Sequence, residues 1–371
     1  MQETTENKLY VKRSSNFELL RILAMLMIVA CHAVQHSRTG NFSLMIEPFS
    51  VNVAANYLLG SYGQLGVILF VIVSSWFLCS AKSIHPEKVV RLYLQTMLCS
   101  VAVFVFVKLG GFEPVGFKEL VKTFLTPIYG GYWFIRTYLF FYLLVPFLQD
   151  YVRKADEKLQ VRLLAIMTIL LPVFRFFFFV ESEFGNVGDF IYVFIAVAYL
   201  KKKEGNYLEK YCRIIFAALL ALMWSALFAA NILCHRLEFS KNLTRNVILH
   251  IYSSRHIFIM LLAMSLFYIF KNHVKIGYSR IINTVANTTF GVYIFHENLL
   301  LHSYGENGLS ETALLFEQWL HVGVHFETDK LYPLYLILCV FAVFTVCGLI
   351  EFLRRKLCCS VEYGFKKLLR R

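Results

Sequence analysis

Leu19-Leu20-Arg21-Ile22-Leu23-Ala24-Met25-Leu26-Met27-Ile28-Val29-Ala30-Cys31-His32 is an apolar run interrupted by one cation and closed by one imidazole. On an α-helix each residue turns the chain by about 100° and rises about 1.5 Å. Eleven steps therefore bring His32 back to within about 20° of Arg21, roughly 16 Å further along the axis. Glu18, Arg21, Met25, Ile28, His32, Gln35 and His36 recur at helical spacing and form a stripe that is polar at both ends and apolar between. Ionisable groups at that depth are costly in lipid, so such a stripe faces other helices or a water-filled cavity and points to function. The plainer alternative is a structural network in which Glu18 neutralises Arg21 and the histidines bond to neighbouring helices.

Composition sets the class. Hydrophobic residues make up 58% of the 371 and charged residues 16%, against about 25% charged in soluble domains. The mean hydropathy is +0.59. We therefore expect an all-α, polytopic integral membrane protein. Stretches able to cross about 30 Å of hydrocarbon recur about ten times, at 17–37, 55–79, 92–110, 132–149, 163–180, 187–200, 212–234, 247–270, 280–302 and 332–353. The 36 Phe and 21 Tyr suit lipid contact and interfacial belts.

Basic residues fall mainly on alternate connections: Lys12 and Arg13, then Lys82, Lys88 and Arg91, then Lys201, Lys202 and Lys203, and finally the C-terminal tail. This asymmetry places both termini in the cytoplasm. The expected organisation is a tail at 1–12, a membrane domain at 13–353 and a basic tail at 354–371. The net charge of +13 calls for no nucleic acid, because lysines beside anionic lipid account for it. Lys12-Arg13 before an apolar run imitates a secretion signal, but Arg21 interrupts the run and further spans follow, so cleavage is not expected.

The nine cysteines form no CxxC or Cys/His spacing, and neither a disulfide framework nor a metal site is expected. The polar connection 303–331, with Glu306, Glu311, Glu317, Glu327 and Asp329, reads as a solvated loop or an amphipathic lid. Lys88 and Arg91 stand three apart at the entry to the third span. They share a helical face, suited to phosphate or to plain interfacial anchoring. His296, Glu297 and Asn298 make a polar group toward the outer half of the ninth span, Trp133 and Arg136 open the fourth, and Arg175 and Arg255 read as snorkelling cations.

Several of these elements together resemble a known family. Arg13-Ser-Ser-Asn-Phe-Glu18-Leu-Leu-Arg21, with His32 ten intervening residues later, resembles the opening of acyltransferase family 3, a group of integral-membrane acyltransferases. Gly66 to Leu78 looks like its second helix and Lys88-Val-Val-Arg91 like its basic turn. Tyr132-Trp133-Phe134-Ile135 with Tyr138-Leu139 looks like its fourth helix, and Thr289-Phe290-Gly291 through Glu297 like its penultimate one. Two positions depart from the pattern: Lys88 stands where arginine is usual and Ser75 where glycine is common. Lysine keeps the charge but loses the bidentate fork.

The resemblance implies transfer of an acyl group, most simply acetyl, from acyl-CoA to a hydroxyl of a surface polysaccharide or a lipid-linked glycan precursor. It implies His32 as general base or transient acyl carrier, and Arg21 as a group that steadies the thioester oxygen, binds a CoA phosphate or positions a helix. Lys88 and Arg91 would take the nucleotide end of CoA, while Glu18, His36, Trp133, Arg136, His296 and Glu297 would line the substrate path. The expected setting is a bacterial inner or plasma membrane. A transporter or flippase for a glycan substrate would also explain buried ions among apolar helices. Transporters, however, commonly repeat Gly- or Pro-broken helices in matching halves, and Pro146 and Pro172 have no counterparts in the second half.

Overall fold

The computed structural model describes residues 14–38, 42–112, 114–126, 131–178, 185–253, 255–302 and 313–368. Among them all regular structure is helical. The chain opens with α1 (Ser15–Gln35), α2 (Val51–Gly60), α3 (Gly63–Leu78), α4 (Glu87–Gly110), α5 (Phe117–Leu125), α6 (Trp133–Lys154) and α7 (Glu157–Thr168). A π-turn at Ile169–Val173 then leads to α8 (Phe174–Phe178), α9 (Gly185–Lys202), α10 (Tyr207–Lys210), α11 (Cys212–Arg236), α12 (Lys241–Ser253) and α13 (Ile257–Asn272). The last part holds α14 (Arg280–Ala286), α15 (Thr289–His296), α16 (Leu299–His302), α17 (Val322–Thr328) and α18 (Tyr332–Leu368).

Seven helical stretches among the described residues are long and apolar enough to cross a membrane: Ser15–Gln35, Val51–Leu78, Glu87–Gly110, Glu157–Phe178, Cys212–Arg236, Lys241–Asn272 and Tyr332–Cys358. The other three expected spans differ for physical reasons. Helix α6 carries Arg136, Asp150, Arg153 and Lys154, and α9 carries Asp189, Lys201 and Lys202. The ninth is divided into α14, α15 and α16. Around those breaks side chains compete for backbone bonds: the Thr288 hydroxyl donates to the Val285 carbonyl at 2.8 Å, and the Asn298 side-chain oxygen accepts the Leu300 N–H at 3.0 Å.

Helix α1 lies at the centre and packs against α2, α3, α13, α14, α15 and α18. Its approach to α2 and α3 depends on Gly60, Gly63 and Gly66, spaced three apart so that their backbones meet α1 without side chains between. A Cβ on Gly66 would stand 2.5 Å from the Ala24 carbonyl oxygen, and one on Gly63 2.5 Å from Cys31 Sγ. Backbone cannot yield as a side-chain tip can. Gly66→Leu should therefore cost more than the ~1–3 kcal/mol typical of overpacking, seen as loss of monodisperse protein on size exclusion after detergent extraction.

Arg175 and Arg255 are not snorkelling. Arg175 is 3% exposed and sets Nη1 and Nη2 at 3.1 and 3.3 Å from the two carboxylate oxygens of Asp189. Arg255 Nη1 lies 3.0 Å from Asp189 Oδ2, and its guanidinium sits 5.2 Å from the centre of the Trp133 ring. Asp189 is fully buried, and a carboxylate there makes two interior cations tolerable. Asp189→Asn should lower stability by about 3–5 kcal/mol, because both cations lose that charge in the interior. The fall in thermal midpoint in detergent checks it.

Segment 313–331 is folded and not a plain loop. It holds a π-turn at Leu314–Trp319, with Leu314 and Phe316 buried, and then α17. Glu317 clasps it to the end of α1, accepting the Arg38 N–H at 2.6 Å and the Gly323 N–H at 3.1 Å. The Arg38 guanidinium pairs with Glu47 and Glu327. Glu306 and Glu311 lie outside the described residues.

Candidate active site

A cavity of about 490 Å³ runs beside α1. One end is walled by Arg21, Gln95, Asn287 and Arg355, the other by His32, Gln35, Phe42 and Glu297, with Phe70, Phe134 and Tyr138 on the walls as well. Of the stripe read from the sequence, Arg21, Met25, Ile28, His32 and Gln35 line this cavity, and Glu18 and His36 do not.

At the His32 end four imidazoles gather about one carboxylate. His32 Nδ1 is 3.0 Å from His296 Nε2 and 2.8 Å from Glu297 Oε2. His36 Nε2 is 3.1 Å from the same Glu297 oxygen, and His302 Nε2 is 3.9 Å from Glu297 Oε1. The rings of His36 and His302 stack with centroids 4.4 Å apart. One bond fixes the protons. His296 Nδ1 lies 2.6 Å from the Val292 carbonyl oxygen, which can only accept, so Nδ1 carries the hydrogen. In a neutral His296 ring Nε2 is then a bare acceptor, and His32 Nδ1 facing it must donate. In a neutral His32 ring the remaining nitrogen, Nε2, then keeps its lone pair, and the residue lines the cavity. A carboxylate and a bare imidazole nitrogen that orient a second imidazole through one N–H are the arrangement of an activated general base.

The same atoms bear on metals. The donors of His32, His296 and Glu297, and those of His36, Glu297 and His302, each lie within 4.8 Å of one another, so either set could hold a small cation. In the first set the short contacts are already those of a hydrogen-bonded chain.

The other candidates separate by position. Arg21 lies on the cavity wall, with Nη1 3.2 Å from Glu18 Oε2 and its guanidinium 5.9 Å from the Phe70 ring centre. Glu18 is buried behind it. Trp133 lines the cavity. Arg136 is exposed and off the wall, since two helical steps turn it about 200° from Phe134. Lys88 and Arg91 are exposed on the face of α4 that carries Gln95, two turns and one turn before it, but neither is on the wall. Reading the sequence missed three contributors. His302 joins Glu297. Tyr132 donates to the Ile294 carbonyl at 2.7 Å and accepts from Asn298 Nδ2 at 2.9 Å, which ties α6 to the turn that holds Glu297. Arg355, from α18, closes the Arg21 end.

A family model described as an acyltransferase domain, that of acyltransferase family 3, matches residues 14–352. The chain belongs to this family. No curated protein and no solved structure matches it. The matched segment of this acyltransferase takes in α1, the His32–Glu297 cluster and every stretch apolar enough to cross a membrane except the last few residues of the final one. Arg355 lies just beyond it.

Proposed function

We propose that this acyltransferase moves an acyl group, acetyl, from acyl-CoA to a hydroxyl of a surface polysaccharide or its lipid-linked precursor. It would do so in a bacterial inner or plasma membrane, crossed about ten times with both termini cytoplasmic. The observation that carries the proposal is His32 on the cavity wall with Nδ1 held between His296 and Glu297, an arrangement that in a neutral ring leaves the Nε2 lone pair for chemistry.

His32 Nε2 takes the proton of the acceptor hydroxyl as that oxygen attacks the thioester carbonyl. The carbon–oxygen bond forms, the carbon–sulfur bond breaks, and the proton passes from His32 to the departing thiolate. Glu297, beside Nδ1, steadies the imidazolium between those two events. Arg21 then has a different part from His32. About 16 Å of helix separates them, and a helical side chain leans toward the N-terminus, which takes the guanidinium further away. One carbonyl cannot touch both, so Arg21 binds the donor and His32 does the chemistry.

Mass spectrometry of the surface glycan from cells with and without this protein tests the reading. A mass gain of one acetyl group per repeat that depends on the protein supports it. Unchanged acetylation with altered glycan location overturns it in favour of transport.

A further inference from the structure

Beside the Arg21 end of the catalytic cavity lies a second hollow of about 300 Å³, lined by Thr284, Asn287, Thr288, Phe352, Arg355 and Lys356. Asn287 and Arg355 belong to both walls, so the two spaces meet there. We propose that this groove holds the phosphorylated nucleotide end of the acyl donor, while the donor's arm passes Arg355 into the cavity toward His32. The inference rests on the acyl-CoA reading above and adds where the charged half of that donor sits.

The chemistry of the lining is that of a polyanion site with a place for a flat ring. Arg355 and Lys356 are exposed, and no carboxylate is on its walls. Glu351, four residues before Arg355, is fully buried and engaged by Arg354 Nε and Nη2, both at 2.7 Å, and by Gln95 at 3.1 Å. It is spent on Arg354 and Gln95 and not on Arg355. Arg355 Nη1 donates to the Asn287 carbonyl at 2.5 Å. That bond spends one of five N–H donors and steadies the fork, so the others are presented to phosphate oxygens with less loss of side-chain freedom. The Thr288 hydroxyl donates to Val285 at 2.8 Å, which leaves its oxygen as an acceptor for a ribose hydroxyl or a base amine. Phe352 supplies an aromatic ring, with the Lys356 ammonium 5.6 Å from the centre of one of its faces. Lys88 and Arg91, the cations that the basic turn put forward for this task, reach neither wall.

An anionic lipid headgroup shares the phosphate chemistry, and the test separates it from a nucleotide. The purified full chain is placed in nanodiscs of zwitterionic lipid alone and, separately, with added anionic lipid. CoA binding is measured by calorimetry, and the KM for acetyl-CoA and for S-acetylpantetheine, which lacks the nucleotide, is measured on the glycan acceptor. The double variant Arg355→Ala, Lys356→Ala should bind CoA about tenfold more weakly in zwitterionic discs. It should raise the KM for acetyl-CoA by a similar factor and change the KM for S-acetylpantetheine, which lacks the nucleotide, by far less. Arg355→Lys with Lys356 intact should recover part of the loss, and an unchanged thermal midpoint shows that the variants fold.

Unaltered CoA binding by the double variant, with wild-type transfer intact, overturns the groove and leaves the reaction standing. A CoA affinity that differs between wild type and variant only in anionic discs assigns the groove to lipid and also overturns it. Wild-type protein that binds CoA in the groove yet acetylates no glycan overturns the acceptor reading instead.

Discussion

Replacing His32 by Ala lowers acyl transfer by about 10²–10⁴-fold, the span that a positioned general base contributes, while the protein remains in the membrane at wild-type abundance. The expectation follows from position. His32 is 9% exposed, on the cavity wall, with one nitrogen engaged by His296 and Glu297. A small apolar replacement removes the base but leaves α1 helical, since alanine is the best helix former. His32→Gln restores polarity without a proton acceptor of comparable basicity and should not restore activity. Steady-state transfer of labelled acetyl, normalised to protein recovered from membranes, measures both. Wild-type rates for either variant would reduce His32 to a structural group.

Glu297→Gln should cost on the order of 10²-fold in kcat with a smaller change in KM, because the substitution keeps shape but removes the charge that steadies a protonated His32. The carboxylate also holds His36 at 3.1 Å and faces His302 at 3.9 Å. An amide in its place presents N–H groups to rings that need an acceptor. Glu297→Ala should lose activity together with stability, since it leaves buried ring N–H groups without their acceptor. The split between Gln and Ala separates the two contributions: Gln shows the charge and Ala shows the packing. A Glu297→Gln enzyme with unchanged kcat would mean that the histidine cluster acts without the carboxylate.

How far the molecule could be read from its sequence depended on whether a feature was local. The Arg21–His32 stripe was legible because both residues sit on one helix, where spacing alone sets the shared face. His296 and Glu297 were legible as polar residues in an apolar run, but their meeting with His32 joins positions 264 and 265 residues away, which periodicity cannot report. Asp189 shows the same limit in reverse. Arg175 and Arg255 looked like interfacial cations until folding brought one carboxylate between them. The ninth span failed as a single helix because Asn and Thr side chains bond to nearby backbone, a local effect masked by the high hydropathy around it. The Gly60, Gly63 and Gly66 ridge was visible as letters, yet only the partner helix shows that its spacing serves close approach. Arg355 sits in a stretch that reads as an ordinary basic tail, and nothing in its local pattern sets it apart from Arg354, which is committed to Glu351.

The most direct measurement is transfer from acetyl-CoA labelled in the acetyl group to the glycan acceptor by purified protein in proteoliposomes, with wild type and His32→Ala compared side by side. Label in an alkali-labile ester on the glycan with wild type, and none above background with His32→Ala, is the result expected if His32 is the base of an O-acyl transfer. Equal labelling by both proteins, or glycan that crosses the bilayer unlabelled, contradicts it.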